Sequence, residues 1–520
     1  MSTFPGAAAA PPVTSVNLQR ALQFYRAGDL ASAEDLCRGI LRQTPSDSEA
    51  LHLLGLIAFA CGHPAIARDL IADAISFSPH NADYHINLGN ALVDLHDRDA
   101  ALASFDRAAE LRPDLGEVYF YRANLLQDMK HFERALADYD RAIALSPGLL
   151  ESYFNRGNAL ASLHRRAEAL ESYIKSAELL PGELAPRKNV FWLRIAQGAD
   201  DSLVEGLARE MWEIESEAEV QRLLKERSIS AFRAAHDFEQ AAYLRERNFD
   251  LEGLDRAHRS LKAVNERIHA PLSDAGKITL SEEELADIIR FRKLHVRAPI
   301  PAPSGSPLNP DNDWAALEAR YLGGETLVID NFLSASALAE LQQFCLVSTV
   351  WRQEYKFGYL GAFAHGGFVS PLHLRIARGL SAAMPRLFAG QDLEQLWAFK
   401  YDSRARRGIN VHADFAKLNL NFWITPGAAN LDPATGGMVI YDQPPPDNWN
   451  FREYNDDEQQ ARIYAFLAEA GARKCVVPHR CNRAVLFNSK LFHETDVIDF
   501  KTGYDNRRIN VTYLFGRGDT

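Results

Sequence analysis

The hydrophobic pattern changes character twice along the chain. Up to Pro181 it runs in blocks of constant length. Pro45, Pro79, Pro113, Pro147 and Pro181 stand 34 residues apart, as do Ala33, Ala67, Ala101, Ala135 and Ala169. Small residues hold a third register at Ala21, Gly55, Gly89, Ala123 and Gly157. Three columns locked to one period mark a structural repeat. Small residues let two helices approach closely and proline stops the chain before the next unit, so each block reads as a helix–turn–helix. From 200 to 248 the periodicity stays helical but no longer repeats, which predicts irregular helices capping the array. RAPIPAPSGSPLNPDND (297–313) holds five prolines and reads as an extended linker.

Beyond the linker, short strand-like runs separated by turn residues take over. They are LWAFKYD (396–402), INVHADF (409–415), LNLNFWITP (418–426), GGMVIYD (436–442), KCVVPH (474–479), RAVLFNS (483–489) and RRINVTYLFG (507–516). A strand, a turn and a helix capped by Ser334 precede them. Many short strands of this kind predict a barrel or jelly roll. The connection 443–474 is long for such a fold, and its Trp449, Phe451 and Tyr454 either line a substrate entrance or anchor the loop to the core.

The repeat columns resemble the tetratricopeptide repeat (TPR), five units over 15–181. The resemblance implies an all-α solenoid whose concave face binds proteins or peptides. Asn90, Asn124 and Asn158 lie 34 apart on the first helix of successive units, with Asn87 and Asn155 three residues earlier in two of them. An amide both donates and accepts, so such a ladder either holds an extended peptide backbone or ties neighbouring repeats together.

Composition narrows the partners. The net charge of −12 comes with no basic block, which argues against nucleic acid. No apolar run reaches the roughly 20 residues of a membrane span. Five scattered cysteines suit a reducing cytoplasm, and the expected location is cytoplasmic. The first residues, 1–14, carry no positive charge ahead of an apolar core and read as a disordered leader.

RRGINVHADF (406–415) carries the candidate chemistry. His412 and Asp414 share one face of an alternating segment, opposite Ile409, Val411 and Phe415. The pair is either a surface ion pair or part of a metal site. His493 follows the apolar run AVLF, and two imidazoles with one carboxylate form a set that suits Fe(II) and leaves positions open for other ligands. Fifteen residues later Arg508 shares a strand face with Asn510 and Thr512.

This order of H-x-D, a distant His and a following Arg resembles the Fe(II)/2-oxoglutarate-dependent dioxygenases of the prolyl-hydroxylase-like kind, over about 325–520. The resemblance implies that His412, Asp414 and His493 hold iron. It also implies that Arg508 holds the far carboxylate of 2-oxoglutarate, assisted by Tyr401, and that O2 is the second co-substrate. Arg507 is adjacent and competes for the role of Arg508. Asn510 stands where relatives often have serine. A carboxylate at 414, where halogenating relatives keep a small residue, favours hydroxylation.

The expected architecture is therefore multidomain α + β. It comprises the leader (1–14), the TPR solenoid (15–181), an irregular helical region (182–296), a proline-rich linker (297–320) and a double-stranded β-helix, or jelly roll, with flanking helices (321–520). The expected function is hydroxylation of a protein or peptide side chain brought in by the TPR groove. A small-metabolite hydroxylase using the repeats for assembly, and a scaffold with an inactive barrel, are the alternatives.

Overall fold

A computed structural model describes residues 13–268, 276–297, 305–355, 358–402 and 408–517. The chain divides into two compact units, Met1–Val190 and Phe191–Thr520.

The first unit stacks helices in pairs, from Val13–Arg26 with Leu30–Gln43 to Glu151–Ser162 with Arg166–Leu179. Val13 and Thr14, read as leader, open the first helix, and residues 1–12 lie outside the described ones. The alanine column is fully buried at Ala33, Ala67, Ala101, Ala135 and Ala169. The small-residue column has a direct steric cause. A Cβ on Gly89 would stand 2.6 Å from the Phe105 ring, and one on Gly157 would stand 2.5 Å from Tyr173. The second, third and fifth repeats thus seat Ile71, Phe105 and Tyr173 of the second helix on a bare glycine of the first.

Two arginines in the same register add an inter-repeat clip that the hydrophobic columns do not reveal. Arg122 donates to Asp138 of its own repeat at 2.7 Å and to Asp106 of the preceding one at 2.7 Å. Arg156 repeats the pattern on Ser172 and Asp140.

The second unit contains twelve strands among the described residues. They are β1 (Ser228–Ser230), β2 (Lys277–Thr279), β3 (Leu327–Ile329), β4 (Gln353–Tyr355), β5 (Tyr359–Phe363), β6 (Leu393–Tyr401), β7 (Ala416–Trp423), β8 (Met438–Tyr441), β9 (Lys474–Val477), β10 (Ala484–Asn488), β11 (His493–Thr495) and β12 (Arg508–Arg517). A seven-stranded antiparallel sheet has the order β3-β10-β7-β12-β6-β5-β4, and a three-stranded one the order β11-β8-β9. Trp423 and Phe487 of the first sheet share an apolar cluster with Met438, Ile440 and Val477 of the second. The two sheets are therefore joined through a common core.

Three expectations change here. The helices from Asp201 to Arg292, read as a cap on the solenoid, belong to the second unit. Ile229, Leu244, Leu261 and Ile288 share a core with Val347 and Tyr504. Ion pairs reinforce it, Arg352 on Glu219 at 3.2 Å and Arg507 on Glu239 at 2.8 Å. A charged helix can bury its charges where arginines of another element meet them, which a periodicity reading cannot foresee.

The linker 297–320 is also only partly what its prolines predict. Residues 298–304 lie outside the described ones, but Leu308 is 2% exposed, Ser334 N–H donates to Pro307 O at 2.9 Å, and Trp314–Leu322 is a helix capped by Asp313. That stretch is packed rather than extended. Finally, 409–415 is not a strand. His412 makes one isolated bridge, to His493, before β7 begins at Ala416.

The glycine column yields a graded test. Gly89→Leu should overpack the contact with Phe105 and destabilise the repeat unit by about 1–3 kcal/mol. Gly89→Ala should destabilise it as well but by less, because the single added Cβ would already stand 2.6 Å from the Phe105 ring. Thermal unfolding followed by circular dichroism separates the two, and equal effects would contradict the steric account.

Candidate metal centre

The main chains of His412 and His493 bond to each other. His412 N–H donates to His493 O at 3.0 Å, and His493 N–H donates to His412 O at 2.8 Å. Asp414 N–H donates to Ser489 O at 3.0 Å, so the two segments run together through the triad. The ligand atoms of His412, Asp414 and His493 all fall within 4.8 Å of one another.

Each imidazole is oriented in the same way. His412 Nδ1–H donates to Asn410 O at 2.8 Å, and His493 Nδ1–H donates to Leu491 O at 2.9 Å. With the proton held on Nδ1, both Nε2 lone pairs are left for a ligand. Burial, and then the neighbouring His493, push the His412 pKa down to about 4, so the ring is neutral near pH 7. Burial opposes the charge on Asp414, but the two imidazoles and the Asn419 amide outweigh it and keep its carboxyl below the usual range. Asn419 Nδ2 donates to Asp414 Oδ2 at 2.8 Å.

Arg508 lines the same cavity as the triad, together with Asn510 and Thr512. Its guanidinium is 2% exposed, and its bonds go to neutral acceptors: Gly436 O at 2.6 Å, Gly437 O at 2.9 Å and Asn510 Oδ1 at 3.2 Å. No described carboxylate is within salt-bridge distance of it. Burial accordingly lowers its pKa from the ordinary arginine value.

Arg507 is the opposite case. It is equally buried but pairs with Asp402 and Glu239, each at 2.8 Å, on the other side of the strand. Alternation along β12 places one arginine against the helices and the other over the triad. Tyr401 is opposite Arg508 in the β6–β12 register and fully buried, with its ring 4.7 Å from the guanidinium and its hydroxyl 3.5 Å from Thr495 Oγ1.

The Gly436–Gly437 pair is a requirement of this cradle. Gly436 has φ +82°, and a Cβ on Gly437 would stand 1.8 Å from Val477 O. The long connection after β8 forms the helix Gln460–Glu469, and it anchors to both histidine segments. Gln460 Nε2 donates to Val411 O at 3.0 Å, while the hydroxyls of Tyr441 and Tyr464 both donate to Glu494. Trp449 and Tyr454 pack into the cluster of Val411, Ile463 and Phe492, which is the anchoring role; Phe451 is 52% exposed.

Asn419, Asn421 and Glu494 are the site residues that motif reasoning missed. The first two had a legible signal, since polar residues alternate with Leu418, Leu420 and Phe422 in an otherwise apolar strand. Asn510 Nδ2 donates to Asn421 Oδ1 at 3.1 Å and completes that face.

In the first unit the asparagine ladder is partly spent within the array. Tyr139 donates to Asn124 Oδ1 at 2.7 Å, Asn155 donates to the same oxygen at 2.9 Å, and Tyr173 donates to Asn158 at 2.8 Å. Phe105 takes the tyrosine's register in the repeat of Asn90, so Asn90 engages no described side chain. The reading that each amide offers both ends to a ligand is narrowed at Asn124, whose oxygen already accepts twice, and at Asn158, whose oxygen accepts once.

Tetratricopeptide-repeat family models match residues 52–116 and 116–149, and the N-terminal region is a TPR array. The crystal structure of MamA is 22% identical over 31% of this chain and 94% of that one, with a TM-score of 0.29. YrrB, described as a TPR protein with an unusual peptide-binding site, is 23% identical over 33% of this chain and 88% of its own, with a TM-score of 0.30. Pseudomonas aeruginosa pilF is 16% identical over 39% and 91%, with a TM-score of 0.36. No curated protein matches the chain. No helix among the described residues is long and apolar enough to cross a membrane.

The contrast between the two arginines is testable on stability alone. Arg507→Ala removes the buried ion pairs with Asp402 and Glu239 and should cost the second unit roughly 3–5 kcal/mol. Urea unfolding measures this, and a loss below about 1 kcal/mol would show the pairs to be dispensable.

Proposed function

We propose that the second unit is an Fe(II)- and 2-oxoglutarate-dependent hydroxylase built on a jelly-roll fold, acting on a protein or peptide side chain recruited by the TPR groove. The observation that carries the reading is the buried Arg508, with no carboxylate in salt-bridge distance among the described residues, in the cavity of two histidines that each donate from Nδ1 and one carboxylate. A buried guanidinium without a directly bonded counter-charge costs several kcal/mol, and an anionic ligand offsets that cost. Of its five N–H donors three are engaged by Gly436, Gly437 and Asn510 and Tyr401 is a further hydrogen-bond partner, which leaves donor capacity for a carboxylate.

The donor set fits the metal as well. Two imidazole nitrogens and one carboxylate oxygen suit a non-haem Fe(II) site with open positions. His412, Asp414 and His493 would hold the ion. Arg508 would hold the far carboxylate of the keto acid, with Tyr401 behind it. The cavity amounts to about 40 Å³. When bound, iron and 2-oxoglutarate supply O2 activation, the keto acid being oxidised to succinate and CO2 as a C–H bond is hydroxylated.

The chain's own residues do three things in this scheme. The carbonyls of Asn410 and Leu491 fix the histidine tautomers, and Asn419 fixes the Asp414 rotamer. Gly436 and Gly437 hold the arginine at a set distance from the triad. The sheet core and the helix Gln460–Glu469 keep water from the interior. A TPR array is a protein-interaction module, which favours a polypeptide substrate over a small metabolite.

His412→Ala, Asp414→Ala and His493→Ala should each abolish Fe(II) binding in anaerobic calorimetry with the fold retained, and wild-type-like binding would remove that residue from the site. Asn419→Ala should weaken it 10–100-fold. Arg508→Ala should raise the KM for 2-oxoglutarate at least tenfold with iron still bound, as expected when a charge-assisted contact worth roughly 2–5 kcal/mol is lost. If Arg507→Ala has the larger KM effect at equal folded fraction, the assignment of the two arginines is reversed. Asn90→Ala disturbs no described hydrogen bond and should lower kcat/KM for a protein substrate while leaving substrate-free succinate production unchanged.

A further inference from the structure

A second, larger cavity of about 780 Å³ lies beside the triad, in the range of ligand sites. Its walls include Lys417, three residues after Asp414, and Asn488, Lys490 and Leu491, which lead into His493; Lys474 of β9 adds a third ammonium. None of the three lysines has a described carboxylate within salt-bridge distance. The two carboxylates in the wall are already engaged, Glu325 by Arg320 at 2.9 Å and Asp442 by Arg473 at 2.7 Å. A chain of net charge −12 thus gathers three uncompensated positive charges around one opening next to its candidate metal. A cleft lined by one sign of charge focuses the field on a ligand of the other sign.

The backbone of the same wall is also unpaired. β9 is the edge of the three-stranded sheet. Asp442 N–H donates to Arg473 O, so by antiparallel alternation Cys475 and Val477 turn their main-chain groups to β8, while those of Lys474 and Val476 face outward. Val476 is 51% exposed. A free strand edge accepts an extended chain by main-chain pairing. Lysine, a flexible point charge without the planar fork of arginine, suits several separate carboxylates better than one planar dianion.

We propose that the polypeptide hydroxylated at the metal centre carries a run of acidic side chains, which pairs with the edge of β9 and sets its carboxylates on Lys417, Lys474 and Lys490. The proposal rests on the hydroxylase reading for the fate of the peptide, but the binding itself needs no metal.

The test uses the full chain in EDTA and a fluorescein-labelled octaglutamate peptide, read by fluorescence anisotropy. The combined Lys417→Gln, Lys474→Gln and Lys490→Gln variant should bind at least tenfold more weakly, and His412→Ala should bind like the wild type. The same octaglutamate N-methylated at alternate residues keeps its charge but cannot pair as a strand, and should also bind at least tenfold more weakly. Unchanged affinity in the lysine variant, equal binding of the methylated peptide, or binding of tripolyphosphate but not of octaglutamate would each overturn the proposal. Because no iron is present, such a failure is separate from failure of the iron titrations, which test the hydroxylase reading alone.

Discussion

The pair of main-chain hydrogen bonds between His412 and His493 is the constraint on which the candidate centre depends. It brings together two stretches far apart in sequence and fixes their separation to that of a β-bridge. The imidazoles then need only one further bond each, from Nδ1 to the carbonyl two residues back, to turn Nε2 inward. Asp414 joins through its own main-chain bond to Ser489 and through Asn419. The backbone therefore sets the geometry, and the side chains inherit it.

Charge compensation sorts the rest of the second unit. Arg507 and Arg352 pair with Glu239 and Glu219 of the helices between Asp201 and Arg292 and tie them to the sheet region, while Arg292 joins two of those helices through Glu219. Arg508 is buried to the same degree against carbonyls only. In a low-dielectric interior a paired charge is structural and an unpaired one waits for a ligand. Lys417, Lys474 and Lys490 extend the contrast to the larger cavity, whose walls adjoin the triad segments in sequence. Positive charge without a partner is thus concentrated near the candidate centre of an acidic chain.

The first unit solves a different problem. Its stability comes from repetition, with Ile71, Phe105, Tyr139 and Tyr173 each against a glycine or alanine of the partner helix and arginine clips between later blocks. The asparagines at 124 and 158 show how one residue can serve the array and still lie on its ladder, since their oxygens are held by tyrosines of the second helix. Asn90 escapes this only because phenylalanine replaces tyrosine at position 105.

Much was legible because its physical cause is local or periodic. The 34-residue columns record helix packing that repeats without variation, and the run of short apolar segments marks the antiparallel strands of β6 to β10 and β12. The order of His412, Asp414, His493 and Arg508 named residues that stand around one cavity, because those residue types are the ones that metal and anion chemistry needs. Other features required the tertiary structure. Whether the helices after Pro181 cover the solenoid or the sheets depends on which distant arginines meet their carboxylates. That 409–415 is a bridge rather than a strand depends on Ser489 and His493. Which of two adjacent arginines faces the triad follows from what stands on each side of β12, and the free edge of β9 exists only once sheet order is set. Local sequence encodes propensity and alternation; the neighbours that pair a charge or leave it bare come from residues tens to hundreds of positions away.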